Sequence, residues 1–201
     1  MLEAAGLECE RGGRRLFRGL SLALAGGDLL RIAGANGSGK TSLMRILCGL
    51  LAPTAGRVKW RGEPISTLKE EFTRELLYLG HAAAVKDDLT PAENLAITCR
   101  VAGLPASNAQ IAEALRRYQV PENFVRKLSE GQRRRAALAR LALSESVPLW
   151  LLDEPFSSLD AASSSLTAEL ISNHVERGGA VVYTTHHEAG LQPGRRIDLD
   201  G

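Results

Sequence analysis

The chain has 201 residues, of which 44% are hydrophobic and 24% are charged, and its formal net charge is +2 at pH 7. This length and composition suit one domain, or one domain with a small lobe, with a packed core. The small net charge argues against a dedicated nucleic-acid binder, which usually shows a strongly basic balance. The sequence has no apolar run of the roughly 20 residues that a membrane-spanning helix needs, and its first residues do not show the pattern of a secretory signal.

The first predicted elements are strands. Residues 1–25 alternate apolar and polar side chains, as in Leu20 to Leu24, which is typical of antiparallel strands. The apolar run at residues 28–33 predicts a further strand, and apolar residues with helical spacing at 41–47 predict a helix that ends at Gly49.

Between this strand and this helix, residues 34–41 read Gly-Ala-Asn-Gly-Ser-Gly-Lys-Thr. The spacing lets successive backbone N–H groups surround a β-phosphate, while Lys40 reaches the β- and γ-oxygens and Thr41 offers its hydroxyl to Mg²⁺. The alternative is a glycine-rich turn without a ligand, but the flanking strand and helix favour a phosphate site at a helix N-terminus. The predicted nucleotide-binding residues are Gly34, Ala35, Asn36, Gly37, Ser38, Gly39, Lys40, Thr41 and Ser42.

Strand signals return at residues 57–60 and 76–79, after which the pattern becomes helical. Thr90-Pro91-Ala92-Glu93 and Ser107-Asn108-Ala109-Gln110 each place a hydroxyl residue three positions before Glu or Gln, the pattern of a capping box at a helix start. We therefore predict a helical subdomain at about residues 87–145.

The segment Ser129-Glu130-Gly131-Gln132 has two interpretations. It can be a third capping box that opens an Arg- and Ala-rich helix extending to Leu143, and the box alone would explain the serine and the glutamine. It can also present a helix N-terminus to an anion. The block Arg133-Arg134-Arg135 is more typical of a solvated helix face than of a nucleic-acid patch.

A four-residue apolar strand at 149–152 ends in two carboxylates, Asp153 and Glu154. Side chains at the carboxyl end of such a strand face the crevice in which α/β folds bind ligands. Asp153 can therefore hold Mg²⁺ through water, and Glu154 can orient or deprotonate the water that attacks a γ-phosphate. The alternative is an acidic turn without a ligand.

The α/β pattern continues after this turn. A helix is predicted at about residues 162–175 and a strand at 180–185. His186 follows that strand directly, so it is expected to face the same crevice, although a lone histidine pair is often only a surface feature.

Taken in order, these motifs resemble the nucleotide-binding subunit of ABC transporters over nearly the whole chain. The segments that carry the resemblance are residues 34–41, 128–132, 149–154 and 158–160, and His186. The resemblance implies a single domain over residues 1–201, with an α/β P-loop NTPase core, an N-terminal antiparallel β part and a small helical subdomain. It also implies ATP hydrolysis with Mg²⁺ in a head-to-tail homodimer that encloses two ATP molecules.

The same resemblance implies residue roles. Glu154 is expected to be the catalytic base, and His186 is expected to contact the γ-phosphate in the closed state. Ser129 and Gly131 would bind the γ-phosphate of the ATP held by the other subunit, and Asp160 would contact the partner near the opposite site.

Finer features are similar to the ATP-binding subunit of the bacterial haem exporter of cytochrome c maturation. They are the compact length and residues 77–81, 89–95, 132–141, 148–156 and 184–186. The similarity implies integral membrane transporter subunits as partners, no nucleic acid, and a peripheral position at the cytoplasmic face of the bacterial inner membrane. The alternatives are an exporter of lipoproteins, drugs or amino acids, and a soluble ABC ATPase.

Departures from the family pattern occur at His81, at Arg11 and at Glu130, which replaces a common glycine. His81 aligns with a glutamine that touches Mg²⁺ in ABC subunits, and Arg11 aligns with the aromatic residue that usually stacks on adenine. The loop at His81 therefore lacks the usual glutamine contact to Mg²⁺, and without an aromatic residue at position 11 we expect ATP and GTP to bind with similar affinity.

Overall fold

The computed structural model describes residues 1–186 and 190–200 of the chain. Its elements are β1 (Leu2–Arg11), β2 (Arg14–Leu24), β3 (Leu29–Ala33), α1 (Lys40–Leu47), β4 (Ala55–Trp60), β5 (Glu63–Pro64), α2 (Ile65–Leu68), α3 (Glu70–Arg74), β6 (Leu76–Leu79), α4 (Pro91–Val101), α5 (Asn108–Arg117), α6 (Glu130–Leu138), β7 (Leu149–Leu152), α7 (Ala161–Glu176), β8 (Ala180–Thr184) and β9 (Arg195–Asp198). Two 3₁₀ segments lie at Val125–Lys127 and Ala139–Leu143. Within the described ranges, no helix has both the length and the apolar character needed to cross a bilayer.

The N-terminal part is an antiparallel sheet. β1 and β2 form a hairpin whose connection, Gly12-Gly13, has positive φ at both residues (58° and 73°), as a tight hairpin turn requires. β4 and β5 extend this sheet in the order β2-β1-β4-β5. The predicted antiparallel part of the fold is therefore confirmed.

The second sheet is parallel and has the strand order β6-β7-β8-β3-β9. Parallel strands all end at the same edge of their sheet. The loops that follow β3, β6, β7 and β8 therefore begin side by side, at Gly34, Gly80, Asp153 and Thr185. This edge positions the candidate site.

Alternation along the parallel strands divides the core into two layers. Leu149 and Leu151 of β7 pack on the side of α1 and the antiparallel sheet. Trp150 and Leu152 pack on the side of α4, α5 and α7. All four side chains are fully buried, which explains why the strand is continuously apolar instead of alternating.

Three helices begin with the predicted capping boxes. The hydroxyls of Thr90, Ser107 and Ser129 accept from the backbone N–H three residues ahead, and each partner side chain accepts in return from the capping residue. These boxes satisfy N–H groups that the helix leaves unpaired. The starts of α4, α5 and α6 are confirmed.

Other boundaries differ from the expectation. The helix expected to extend to Leu143 is α-helical only to Leu138 and then tightens into the 3₁₀ segment. β5, the short helices α2 and α3, and β9 were not predicted. β9 reads Arg-Arg-Ile-Asp and is an edge strand with mainly exposed side chains, so it lacks the apolar signal of the central strands.

One histidine lies in the core. His174 of α7 is 3% exposed and stacks on Trp150, with ring centroids 3.8 Å apart and planes 6° from parallel. Both ring nitrogens are buried and have no hydrogen-bond partner among the described residues. Burial, with a smaller contribution from the nearby Arg177 charge, lowers the pKa of His174 from 6.5 to about 4.

We predict that His174 makes the protein sensitive to acid. The unfolded chain takes up this proton below pH 6.5, whereas the folded protein does so only near pH 4. The free energy of unfolding should therefore decrease as the pH falls through this window, by about 3 kcal/mol at most. Urea unfolding of the wild type and of His174→Phe across the window should show a smaller pH dependence in the variant. Parallel pH profiles would contradict the prediction.

Candidate nucleotide-binding and catalytic site

The phosphate loop between β3 and α1 depends on glycines at two tight positions. Gly34 has a φ of 144°, and a Cβ there would lie 2.5 Å from Ser38 Oγ. Gly39 has a φ of 106°, and a Cβ there would lie 3.0 Å from Leu16 Cβ. Both the backbone angle and the lack of space require glycine, so the motif has the local geometry that its sequence predicts.

Lys40 lies across the loop that contains it. Its ammonium donates to the carbonyl oxygens of Gly34 (2.7 Å) and Ala35 (2.9 Å), and the residue is only 8% exposed. The charge is therefore held at the mouth of the loop, next to the N-terminus of α1. A helix N-terminus with an adjacent ammonium is a site for a polyphosphate.

The two carboxylates after β7 have different surroundings. Asp153 is 1% exposed, and its Oδ1 accepts from the Thr184 hydroxyl at 2.8 Å. Its Oδ2 is buried and has no hydrogen-bond partner among the described residues. The same Thr184 oxygen accepts from the backbone N–H of Glu154 at 2.8 Å. One hydroxyl at the end of β8 thus fixes both residues at the end of β7.

Glu154 faces His186. The distance from Glu154 Oε1 to His186 Nε2 is 3.3 Å, and Glu154 Oε2 accepts from the His186 backbone N–H, also at 3.3 Å. Glu154 has a φ of 52°, in the left-handed region that favours glycine. Backbone strain of this kind is common where a side chain must be aimed at a ligand.

These groups border one cavity of about 500 Å³. Its lining contains six predicted phosphate-loop residues, both carboxylates and His186. The residues that line it are Leu16, Asn36, Gly37, Gly39, Lys40, Thr41, Ser42, His81, Asp153, Glu154, Ser157 and His186. The structure therefore brings together most of the side chains predicted from the sequence, and Gly34, Ala35 and Ser38 complete the loop behind them.

The cavity can accommodate Mg²⁺ only with help from a ligand. The described residues contain no cluster of three or more His, Cys, Asp or Glu side chains that could hold a metal ion alone. Thr41 and Asp153 both line the cavity, and the unpartnered buried Oδ2 of Asp153 is the kind of hard oxygen that Mg²⁺ prefers. Mg²⁺ bound through few protein ligands is usual where phosphate oxygens and water supply the rest.

Besides Gly34, Ala35 and Ser38, three predicted residues lie outside this cavity lining. Ser129 caps α6, and a Cβ on Gly131 would lie 2.9 Å from the Ser158 carbonyl oxygen. Asp160 caps α7, where it accepts from Ser163 N at 2.7 Å and pairs with Arg135 at 2.6 Å. The hydrogen bond from Ser163 is the main reason that the pKa of Asp160 is lowered.

The arginine block on α6 is not the solvated face that we expected. Arg134 is 5% exposed, and its guanidinium reaches the loops after β6 and β7. Burial lowers the pKa of Arg134, and the charges of Asp153 and Glu154 oppose this effect. Arg133 and Arg135 are partly buried and pair with Asp87 and Asp160. The block therefore connects elements and does not simply face solvent.

Several residues of the site were missed. None of them belongs to a recognisable local motif. Two line the cavity, Leu16 and Ser157, and two bind the backbone of Glu154, Thr184 and Arg134. Thr184 could have been suspected, because it precedes His186 at the end of a parallel strand. Arg11 is exposed at the end of β1 and does not line the cavity, so the β1–β2 hairpin contributes Leu16 instead.

Comparisons with known proteins agree with this geometry. The family model described as ABC transporter matches residues 17–157. A cytochrome c biogenesis ATP-binding export protein from Aromatoleum aromaticum is 52% identical over 192 residues, which cover 94% of this chain and 90% of that protein.

Two solved structures share the fold. A putative ABC transporter ATP-binding protein from Pyrococcus furiosus superimposes with a TM-score of 0.83 at 22% identity, covering 99% of this chain and 97% of that one. An ATP-binding cassette solved as a dimer in a post-hydrolysis state, bound to ADP and Pi, has a TM-score of 0.79 at 25% identity and covers 93% of this chain and 88% of its own.

Proposed function

The chain belongs to the ABC transporter family of ATP-binding proteins, and on that basis we propose that it is the ATPase subunit of the haem exporter of cytochrome c maturation. The observation that supports ATP hydrolysis best is the convergence of Lys40, Asp153, Glu154 and His186 on one cavity. The export role rests on the printed names of relatives such as the Aromatoleum aromaticum protein. We also propose that residues 1–201 form a single domain with a helical subdomain at about residues 87–145.

ATP hydrolysis follows from what each side chain can do. Lys40 and the N–H groups around it bind the β- and γ-phosphates, which positions the γ-phosphorus for attack. Glu154 accepts the proton of the attacking water, because its oxygens face the cavity beside His186. His186 donates to the γ-phosphate and, through its contacts with Glu154, holds that carboxylate in place. Mg²⁺, held by Thr41 and Asp153, would neutralise charge on the phosphate oxygens.

The active unit that we propose is a head-to-tail homodimer. Ser129, Gly131 and Asp160 lie outside the cavity of their own subunit, on the N-terminal ends of α6 and α7. In the proposed dimer, the N-terminus of α6 would bind the γ-phosphate held by the other subunit. A protein of the same fold has been solved as a dimer bound to ADP and Pi, which supports the proposal of a dimer.

The membrane partner would dock between the loop at residues 81–86 and α4. A small cavity of about 70 Å³ lies there, lined in part by Ala82, Ala84 and Thr98. On α4, Ile97 is 44% exposed and Val101 is 85% exposed. Small side chains beside exposed apolar ones suit a helix of an integral subunit. The proposed position is peripheral, at the cytoplasmic face of the inner membrane.

We predict that Glu154→Gln binds ATP normally but hydrolyses it about 10² times more slowly, because amide nitrogen and oxygen cannot accept the proton of water. ATP should also trap this variant as a dimer, which gel filtration would detect. Glu176→Gln, at an exposed position of α7, is the control and should turn over normally. If Glu154→Gln hydrolysed ATP at the wild-type rate, Glu154 could not be the catalytic base.

We predict that Ser129→Arg abolishes hydrolysis while the monomer still binds ATP, since the serine acts on the other subunit's nucleotide. Ser107→Arg is a matched control, because Ser107 caps α5 with the same capping box. Both variants lose a helix cap, worth about 1 kcal/mol, so only the phosphate contact distinguishes them. Wild-type specific activity should also fall on dilution. Equal activity in the two variants would contradict the composite site.

We predict that cells with Lys40→Ala secrete apocytochrome c but fail to convert it to the haem-bearing form, since the loop loses its only ammonium. Lys59→Ala, on β4, is the control and should mature cytochromes normally. Haem staining of periplasmic proteins measures the outcome. If the Lys40 variant matures c-type cytochromes normally but shows a different export defect, the assignment as an ABC ATPase would stand and the assignment to haem export would be refuted.

A further inference from the structure

Arg134 connects two loops that meet at the site. Its Nη1 donates to the backbone carbonyls of Gly80 (2.8 Å) and His81 (3.1 Å), in the loop after β6. Its Nη2 donates to the carbonyls of Asp153 (2.9 Å) and Glu154 (2.7 Å), in the loop after β7. A single planar guanidinium therefore spans the ends of two neighbouring parallel strands.

These contacts matter because the loops carry cavity residues. His81, Asp153 and Glu154 all line the 500 Å³ cavity, whereas Arg134 does not. Arg134 instead binds their backbone carbonyls from outside the cavity. It is 5% exposed, and Asp153 and Glu154 are also buried, so its donors and these two carbonyls have little access to water. Without Arg134 the buried Asp153 carbonyl would lose this partner, and the Glu154 carbonyl would retain only the 3.2 Å bond from the Ser157 N–H, which is unfavourable enough to move the loop after β7.

Glu154 depends on this support more than its neighbours do. Its φ of 52° is disfavoured for a residue with a side chain, so surrounding contacts must hold the conformation. The Thr184 hydroxyl fixes its backbone N–H and Arg134 fixes its carbonyl. With both backbone groups held, the direction of the Cα–Cβ bond is fixed, and the carboxylate lies beside His186, 3.3 Å from its Nε2.

We propose that Arg134 is a positioning residue for ATP hydrolysis, which holds the backbone of Glu154 in its left-handed conformation and ties it to the loop at Gly80 and His81. The proposal rests on the proposed role of Glu154 as the base. Arg134 belongs to α6, whose N-terminus is capped by Ser129. It therefore also links the N-terminus of α6, which we propose binds the γ-phosphate held by the other subunit, to the Glu154 carboxylate. A shift of α6 would then change the position of Glu154.

The test compares Arg134→Lys and Arg134→Gln with the wild type. Lysine retains the charge but has three donors at one point, and glutamine has one short amide, so neither spans both loops. We expect kcat to fall about ten- to hundred-fold, the scale for a catalytic group displaced by about 1 Å, while the KM for ATP changes less than about two-fold. Binding of a fluorescent ATP analogue gives the concentration of folded sites, to which rates are normalised.

Arg140→Gln is the matched control. Arg140 lies on the same helical run, is partly buried and, like Arg134, has a buried Nε without a partner among the described residues. No hydrogen bond from its guanidinium reaches the ends of β6 or β7 in the part of the chain that the structure describes. Its kcat should match the wild type. The proposal would be overturned if both Arg134 variants had the same normalised kcat as Arg140→Gln.

A double-mutant cycle separates positioning from general weakening of the structure. If Arg134 acts through Glu154, adding Arg134→Gln to Glu154→Gln should cause no further loss of the residual single-turnover rate. A further loss equal to that in the wild-type background would show a structural role and overturn the proposal. Failure of the proposed function would look different, because Glu154→Gln alone would then hydrolyse ATP at the wild-type rate.

Discussion

The site depends on one constraint, the parallel pairing of neighbouring strands. β3 pairs with β8, β8 with β7, and β7 with β6. It places the phosphate loop, the two carboxylates and His186 at one edge, although they are far apart in sequence. A register shift of one residue would turn each terminal side chain to the opposite face of the sheet. The two core layers therefore serve the chemistry, because side chains packed closely on both faces of these strands oppose such a shift.

Polar contacts refine what the sheet positions only coarsely. The Thr184 hydroxyl binds both Asp153 and Glu154, and the Arg134 guanidinium binds the carbonyls of the same two residues from the other side. Such a network is rigid when nearly every member has a partner, and it is unstable when one is lost. The carboxylate oxygens of this network that have no hydrogen-bond partner among the described residues, Asp153 Oδ2 and Glu154 Oε1, belong to residues that line the cavity, where phosphate and metal chemistry would satisfy them.

The site residues that could be predicted from the sequence belong to short motifs of neighbouring residues. The phosphate loop, the three capping boxes and the carboxylates after β7 each depend on a few neighbouring residues whose geometry is fixed by the backbone. Arg134 could not be recognised, because three consecutive arginines have the same local preferences and only tertiary packing decides which of them is buried. β9 was missed because an exposed edge strand does not need an apolar face.

The position of β3 within its sheet has a consequence during synthesis. Its two neighbours are β8 and β9, so Leu29 pairs with Val181 and Leu30 pairs with Arg195. Beyond β9, Asp200 accepts from the N–H of Ala35 at 2.5 Å, across 165 residues of sequence. A ribosome must therefore make the chain as far as β8 before the strand that carries the phosphate loop has any partner in its sheet. Until then nucleotide cannot stabilise the nascent protein, and the apolar strand depends on chaperones or on the antiparallel sheet for protection.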